Sequence, residues 1–328
     1  MDVVVSAERL ADDVLFPAAL VTDATDVVPV KLLDELAEAG FYGLSGPAWA
    51  GGMDADFPTV CSAVERLASG CLTTTFVWVQ HLGAVIAAAG SENEAIRDWV
   101  SPLCTGQRRA GLALGGAIPA PAPLLQARET ESGWTFTGTS PYVSGWGRVD
   151  VLHAGARTDD GRLVWALVDA EESATLSVER LALVALNATA TVRADFREHD
   201  VPAKRVTSVV PYRQGPPAPE VLRLHAAFAL GVALRCCRLL GPTPLDEELA
   251  RLRAELDRLD PSTIEAARGS AGELALRAAA ALVVATGSRS LLVADHAQRL
   301  MREALFALVY ALRPGSRDAL LVELHAAR

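Results

Sequence analysis

Apolar residues recur at helical spacing throughout the first third of the chain. Two such faces are formed by Leu32, Leu33 and Leu36 before a stop at Gly40, and by Val60, Val64 and Leu67. A period near 3.6 residues is typical of an amphipathic helix, and glycine commonly follows a helix end. We therefore predict an N-terminal helical domain over residues 1–111.

The period changes at about Gly111. From there, short apolar runs are separated by glycines at 133, 138, 145 and 147; the runs cover residues 134–136, 142–143, 149–153, 163–167, 176–178 and 191–196. Period-two segments bounded by glycine are typical of β-strands. We predict a middle β domain over residues 112–210.

Helical spacing returns after a proline-rich segment at 215–219. It covers residues 221–240, 245–259, 264–285 and 291–312, with breaks at Gly241-Pro242 and at Pro261. These patterns predict a C-terminal helical domain over residues 211–328. Helices, then strands, then helices indicate an α+β fold in which the helices are segregated from the sheet, because alternating βαβ units are missing from the pattern.

Charge and composition narrow the class of partner. The formal net charge is −10, and only Lys31 and Lys204 are lysines among the 30 basic residues. Nucleic acids and anionic membranes are bound through clustered positive charge, so we expect neither as a partner. The uncharged stretch 67–91 contains Gln80 and His81 near its middle, and it predicts a buried helix pair instead of a membrane span.

The five cysteines contain no CxxC motif. Neither a disulfide framework nor a zinc site has this spacing, so we predict reduced, mostly buried thiols and no metal site. A signal peptide begins with a basic segment that is followed by an apolar one, and the first residues do not show this pattern. We expect a cytoplasmic protein.

Several segments at the junctions of these domains resemble the acyl-CoA dehydrogenase superfamily. They are Leu-Ala-Glu-Ala-Gly-Phe-Tyr-Gly-Leu at 36–44 with Val-Glu-Arg-Leu-Ala at 64–68, Trp-Thr-Phe-Thr-Gly to Tyr-Val-Ser-Gly at 134–145, Asn-Ala-Thr to Val-Pro-Ala at 187–203, and Ala-Asp-His-Ala-Gln-Arg-Leu-Met-Arg-Glu-Ala at 294–304. Together they cover nearly the whole chain in the family's order. The resemblance implies an N-terminal helical domain, a β-barrel-like middle domain and a C-terminal helical bundle.

The resemblance also implies a function. Members of the family bind FAD and an acyl thioester between the β domain and the C-terminal helices, and they oxidise a CH–CH group of the acyl chain. We therefore expect an oxidoreductase that acts on an acyl-CoA or an acyl-carrier-protein thioester. We also expect an oligomer built on residues 264–312, either of identical chains or with a second dehydrogenase-like subunit.

The catalytic base of the family is missing at its usual place. The family carries a Tyr-Glu-Gly step whose carboxylate removes the α-proton, whereas Tyr310 is followed here by Ala311. A methyl group cannot accept a proton, and general-base catalysis needs a titratable group within hydrogen-bond reach. Glu220 lies one residue out of register with the family's alternative base position, and it is the remaining candidate.

By the resemblance, five residues lie at positions that contact the flavin in members of the family. Ser144 replaces a threonine that donates toward flavin N5 or O4, and Tyr142 replaces the tryptophan beside the ring. Leu114 begins the segment that stands in place of a Thr-Glu-Pro turn, while Gly287 and Arg289 lie in the pyrophosphate loop. Ser144 could instead belong to a Ser-Gly turn, and Tyr142 could be a strand aromatic. The family's adenine-contacting Arg-x-x-Phe-Gly segment is absent.

Other charged residues have structural interpretations. Arg302 matches a structural arginine and is predicted to form a buried ion pair with Glu65 or Asp295. His81 and His296 are isolated, and we assign them packing or capping roles. The arginines at 251, 253 and 258 predict a solvated helix face.

Two other functions remain open. A non-catalytic subunit that completes the FAD site of a partner would explain both Ala311 and the missing adenine segment. A flavin-dependent monooxygenase of the same fold receives reduced flavin and needs no α-proton base.

Overall fold

A computed structural model of the chain describes residues 2–118, 122–312 and 314–325. The N-terminal part is helical, and its α-helices are α1 (Val3–Leu10), α2 (Phe16–Asp23), α3 (Val30–Glu38), α4 (Phe57–Gly70), α5 (Leu72–Val79), α6 (Leu82–Ala89) and α7 (Arg97–Cys104). A π-helical turn, Ala11–Leu15, joins α1 to α2. The two predicted faces on α3 and α4 are buried.

The middle part is a sheet of strands β1 (Ala110–Ala113), β2 (Leu125–Thr130), β3 (Gly133–Val143), β4 (Val151–Arg157), β5 (Arg162–Asp169), β6 (Leu176–Arg180), β7 (Val192–Pro202) and β8 (Val206–Pro211). The order is β6-β7-β3-β2-β4-β5-β8, and β1 pairs with β4 in parallel. The apolar runs at 134–136 and 142–143, which Gly138 separates in the sequence, lie in a single strand, β3, which pairs with β2 on one side and β7 on the other.

The C-terminal part contains α8 (Pro219–Leu240), α9 (Pro244–Leu256), α10 (Ile264–Thr286), α11 (His296–Val309) and α12 (Pro314–His325). The prediction of one helix over 291–312 was wrong at both ends. Asp295 accepts a hydrogen bond from the Ala297 N–H (2.9 Å) and so begins α11, and the chain leaves the helix at Tyr310. Helix α12 was not predicted.

The chain changes from helix to strand between Cys104 and Ala110, and back to helix between Pro211 and Pro219. The α+β class with its three successive parts is confirmed. The domain limits 1–111, 112–210 and 211–328 stay predictions about folding units, and the terminal residues Met1 and Arg328 lie outside the described residues.

Within the described ranges, two helical stretches are long and apolar enough to cross a bilayer by length and composition. Leu72–Ala89 comprises α5 and α6 and is 72% buried inside the protein, as the predicted buried helix pair requires. Ile264–Leu291 is 33% buried. All five cysteines are free and buried, as predicted.

Candidate functional site

A group of aromatic rings surrounds the C-terminal end of α11. The ring of Tyr310 lies 5.3 Å from Phe306, 4.9 Å from Phe76 on α5, 5.7 Å from Phe228 on α8 and 5.0 Å from His225 on α8, centroid to centroid. We call these five residues the aromatic cluster. Burial raises the pKa of Tyr310, and a hydrogen bond with the Gln80 side chain opposes the shift.

The turn after the cluster is held by a buried arginine. Arg268 on α10 donates from Nη2 to the carbonyls of Ala307 (2.8 Å) and Tyr310 (3.1 Å), so its cation lies at the carboxyl end of α11, where the helix dipole favours positive charge. Burial lowers the pKa of Arg268 to about 10. Ala311 follows with φ +49° and is exposed.

Three hydroxyl groups form a second feature, which we call the hydroxyl chain. Ser144 Oγ lies 2.8 Å from Thr191 Oγ1, which lies 2.8 Å from Thr189 Oγ1. Thr189 donates its hydrogen to the Leu186 carbonyl (2.7 Å). Because a hydroxyl carries one hydrogen, Thr191 must donate to Thr189, and Ser144 must donate to Thr191. Ser144 Oγ can therefore still accept a hydrogen bond, but it has no hydrogen left to donate to another group.

Helix α5 connects the hydroxyl chain to the aromatic cluster. A Cβ added to Gly145, next to Ser144, would lie 3.3 Å from Cγ1 of Val77. The neighbouring Phe76 contacts Tyr310. The end of β3, the middle of α5, the start of α8 and the end of α11 therefore meet around one region, which we call the crevice.

Two more of the predicted flavin contacts belong to the β-domain side of the crevice. The Tyr142 side chain, at the end of β3, is 68% exposed. The segment that starts at Leu114 runs beside it, since a Cβ on Gly115 would lie 4.0 Å from the Tyr142 nitrogen. The Leu114 side chain itself packs near Gly155 of β4. Pro119, at the end of this segment, lies outside the described residues.

The other two predicted contacts are remote from the first group. Gly287 and Arg289 follow the last residue of α10, whereas Arg268 lies near its start and touches Tyr310. At a rise of 1.5 Å per residue, the loop is about 28 Å from Arg268 along the helix. Arg289 is 77% exposed at its side chain and contacts Asp295 at 3.3 Å. Within a single chain, Gly287 and Arg289 therefore do not reach the crevice.

Glu220 is exposed in the first turn of α8. The titratable residue that this helix contributes to the aromatic cluster is His225, which the sequence interpretation did not consider. It lies five residues after Glu220, and residues at this spacing do not share a helix face, so the Glu220 position gave no signal for it.

Arg302 forms an ion pair as predicted, but both predicted partners, Glu65 and Asp295, were wrong. Arg302 binds Asp23 at the end of α2, with Nη1 3.0 Å from Oδ1. Glu65 is instead bound by Arg253, whose Nε lies 3.1 Å from both carboxylate oxygens. The predicted solvated face on α9 is therefore partly a contact with α4, because Arg253 turns toward Glu65, which is only 2% exposed.

The two histidines singled out in the sequence have packing roles. His81 donates from Nε2 to the Leu103 carbonyl (3.0 Å) and accepts from the Ala110 N–H (2.9 Å). His296 stacks on Phe16 at 4.1 Å. Burial lowers the pKa of each imidazole to about 4.

A surface groove of about 710 Å³ lies elsewhere, between α1 and the end of α3. It is lined by apolar residues together with Ser6, Arg9, Asp13 and Glu38. None of the residues predicted to bind flavin or to act as a base is in its lining, so the groove does not coincide with the predicted site.

The N-terminal part matches a known family. Residues 2–107 match the family described as acyl-CoA dehydrogenase, N-terminal domain. The 3-sulfinopropanoyl-CoA desulfinase of Variovorax paradoxus is 32% identical over 90 residues, which make up 27% of this chain and 23% of that relative. The aligned segment therefore spans less than a quarter of the relative's length.

Solved structures match over the whole chain. A glutaryl-CoA dehydrogenase from Mycobacterium smegmatis, in complex with FADH2, has a TM-score of 0.80 at 16% identity and covers 100% of this chain and 95% of its own. The dibenzothiophene monooxygenase of Paenibacillus sp. A11-2 has a TM-score of 0.77 at 15% identity, with 99% and 97% covered. These likenesses establish the fold. Residues 2–107 thus match the N-terminal domain of the acyl-CoA dehydrogenase family, and the full length has the fold of the glutaryl-CoA dehydrogenase.

Proposed function

We propose that the chain is a flavin-dependent oxidoreductase that acts on the acyl group of a CoA or acyl-carrier-protein thioester. The observation that carries the proposal is the crevice, where α5 lies against the end of β3 through Val77 and against the aromatic cluster through Phe76. Such a site combines apolar walls with a few polar groups, which suits a bound organic ligand.

The residues at the crevice fit an isoalloxazine ring. Tyr142 offers an exposed aromatic face, and Ser144 offers a polar atom at the same end of β3. FAD would supply the acceptor for the hydride that leaves the substrate. The FADH2 in the structure of the glutaryl-CoA dehydrogenase supports the choice of cofactor.

The distance between the two groups of flavin residues supports an oligomeric site. Arg289 and the backbone N–H groups near Gly287 suit a diphosphate, which arginine and open backbone donors bind well. About 28 Å along α10 separates them from the crevice end of the same helix. We therefore propose that this loop contacts the flavin of another subunit, identical or dehydrogenase-like.

We expect this flavin to bind weakly. The adenine-contacting segment of the family is absent, and one charge-assisted hydrogen bond typically contributes about 1.5–3 kcal/mol. Its loss lowers the affinity roughly ten- to a hundred-fold. Retention of stoichiometric FAD through extensive dialysis would contradict this expectation.

The absorbance spectrum of the purified oligomer tests the function. The protein is loaded with FAD and then titrated anaerobically with butyryl-CoA and with butyryl-acyl-carrier protein. Loss of the oxidised flavin bands would support a dehydrogenase. If FAD binds only when a second dehydrogenase-like chain is added, the non-catalytic subunit explains the protein better.

A second candidate, a monooxygenase supplied with reduced flavin, is favoured by the direction of the hydroxyl chain. Ser144 is left to accept a hydrogen bond, and N5 of a flavin carries a hydrogen only when reduced. The alanine at position 311 is consistent with a monooxygenase, because such a reaction needs no base for an α-proton. Tighter binding of reduced than of oxidised flavin, with oxygen consumption but no bleaching by thioesters, would favour this candidate.

A further inference from the structure

We propose that a pocket between the start of α3 and the loop after β3 binds a phosphate group, as the free ion or as a phosphate monoester. The pocket has a volume of about 330 Å³, and we call it the arginine pocket. Its lining includes Gln107, Arg109, Gly147, Arg148, Val149 and Asp150. None of the residues predicted to bind flavin or to act as a base lines it, so the inference goes beyond the proposed function and does not depend on it.

Arg148 supplies the pocket with a cation that no carboxylate neutralises. Its Nε donates to the Val28 carbonyl (2.6 Å), and its Nη1 donates to the Gly147 carbonyl (2.9 Å). Both partners are neutral, and in the part of the chain that the structure describes no carboxylate pairs with this guanidinium. The half-buried side chain is therefore held in place while its charge and its Nη2 hydrogens stay available to a ligand.

Arg109 adds a second guanidinium to the lining. Its Nη2 lies 2.5 Å from Asp34 Oδ1, and its guanidinium carbon lies 5.3 Å from the centre of the Tyr42 ring. Its buried Nε has no acceptor among the described residues. Asp34 thus uses only part of the arginine fork. A guanidinium binds phosphate well because it can donate two parallel hydrogen bonds.

The one carboxylate that we name in the lining, Asp150, is already engaged. Its Oδ2 accepts from the Arg109 N–H (2.7 Å), and its Oδ1 lies 3.7 Å from Arg108 Nη1. Next to the pocket, Lys31 is exposed in the first turn of α3, which contains no acidic residue. The arginine pocket is therefore a positive region on a chain whose formal net charge is −10. Such a region attracts small anions.

Backbone amides extend the set of donors. Among the described residues, no acceptor is bonded to the N–H groups of Gln107, Gly147 and Val149. Gly147 has φ +74°, and nothing lies within 4 Å of a Cβ placed on it. Left-handed residues in a loop can turn neighbouring N–H groups toward one anion. The loop after β3 can therefore donate to the same ligand as Arg148.

This donor set favours phosphate over a singly charged anion. A phosphate monoester carries a charge near −2 at neutral pH and offers three strong acceptor oxygens. Two guanidinium groups and several amides match that number of acceptors, whereas a carboxylate has two oxygens and one charge. The volume of about 330 Å³ leaves room for the organic part of a small monoester.

Isothermal titration calorimetry of the purified full-length protein with sodium phosphate tests the site, with ionic strength held constant by sodium chloride. We expect saturable binding, and Arg148→Gln should weaken the affinity about ten- to a hundred-fold, because it removes a charge-assisted contact. Phenyl phosphate is titrated in the same way. Comparable binding of phenyl phosphate would support a monoester as the ligand, and binding of phosphate alone would support the free ion.

Gln107 provides variants that leave the contacts of Arg148 intact. Its side chain is exposed at the pocket. Gln107→Lys should tighten phosphate binding about five-fold and Gln107→Glu should weaken it about five-fold, because the new charge acts on the anion at short range. The matched controls are Gln126→Lys and Gln126→Glu, which change the net charge equally at an exposed position of β2 outside the pocket. They should leave the affinity unchanged.

Three results would overturn the inference. They are no saturable binding of millimolar phosphate by the wild type, equal binding by folded Arg148→Gln, and equal effects of the Gln107 and Gln126 variants. If Arg148→Gln does not fold, as judged by circular dichroism, the comparison of Gln107 with Gln126 decides. The proposed function is unaffected by any of these results, because the measurements involve neither flavin nor thioester.

Discussion

Ala311 holds a left-handed backbone conformation, φ +49°, directly after the aromatic cluster. This conformation costs an L-residue about 1–2 kcal/mol because Cβ approaches the following carbonyl oxygen. Arg268 helps to hold the turn by binding the Tyr310 carbonyl at 3.1 Å. The strain is local and independent of any chemistry at the crevice.

We predict that Ala311→Gly raises the free energy of unfolding by up to about 1 kcal/mol, because glycine adopts this φ without the Cβ clash and loses only part of the gain to backbone entropy. Urea unfolding measures the change. Ala254→Gly is the matched control, since Ala254 is exposed within α9 and the same substitution should cost about 0.5–1 kcal/mol there. Equal effects at both positions would contradict the prediction.

Two buried histidines make stability depend on pH. Burial lowers the pKa of His81 and His153 to about 4, from an ordinary value of about 6.5. The folded state therefore favours the neutral rings, and their contribution to stability is complete above about pH 6.5 and is lost as the pH falls toward 4. We expect the free energy of unfolding to decrease across this window.

The variant His153→Gln removes one of the two titrations. Its free energy of unfolding, measured by urea at several pH values, should fall less steeply between pH 6.5 and 4 than that of the wild type. A slope identical to the wild-type slope would contradict the prediction, because it would mean that the pKa of His153 is the same in the folded and the unfolded state.

At the scale of elements, α4 and α8 cross closely because Gly231 has no side chain. A Cβ at this position would lie 2.6 Å from the Glu65 carbonyl oxygen and 2.7 Å from the Ala68 Cβ. Backbone in both helices would have to move to accommodate it. This crossing also places the first turns of α8, with His225, relative to α5, which follows α4 directly.

We predict that Gly231→Ala lowers the free energy of unfolding by about 1–3 kcal/mol, the usual cost of overpacking a core. Gly83→Ala is the control, because Gly83 is exposed at the start of α6 with nothing within 4 Å of an added Cβ. It should be neutral or stabilising by about 0.5–1 kcal/mol. Thermal unfolding compares the two, and comparable losses would contradict the prediction.

At the scale of the whole molecule, large apolar residues are exposed where α10 ends. Val284 is 80% exposed, Leu291 83% and Val293 81%. Contiguous exposed apolar surface commonly marks an interface between proteins. The end of α10 and the loop after it, inside the predicted interface 264–312, therefore carry exposed apolar side chains that an oligomer could bury.

We predict a dimer or higher oligomer at micromolar concentration, measured by analytical sedimentation. Leu291→Glu should shift the protein toward the monomer, because a charge buried in an apolar interface is costly. Val21→Glu provides a control at another exposed valine, 65% exposed on α2. A wild-type monomer, or equal dissociation by both variants, would argue against this interface.

The sequence by itself determined the succession of helices and strands. Hydrophobic period is a local property, so the faces of α3 and α4 and the runs in β5, β6 and β7 were visible along the chain. The missing carboxylate after Tyr310 was equally visible. The boundaries of α11 and the presence of α12 were not, because caps and short terminal helices leave a weak periodic signal.

Only the tertiary structure decided which residues meet. Arg302 and Asp23 are 279 positions apart, and no local pattern distinguishes Asp23 from Glu65 as the partner. Likewise, only packing brings His225 beside Tyr310 and leaves Arg289 at the opposite end of α10. Contacts between distant residues depend on how whole helices pack against each other, and this information is spread over the core instead of residing in a motif.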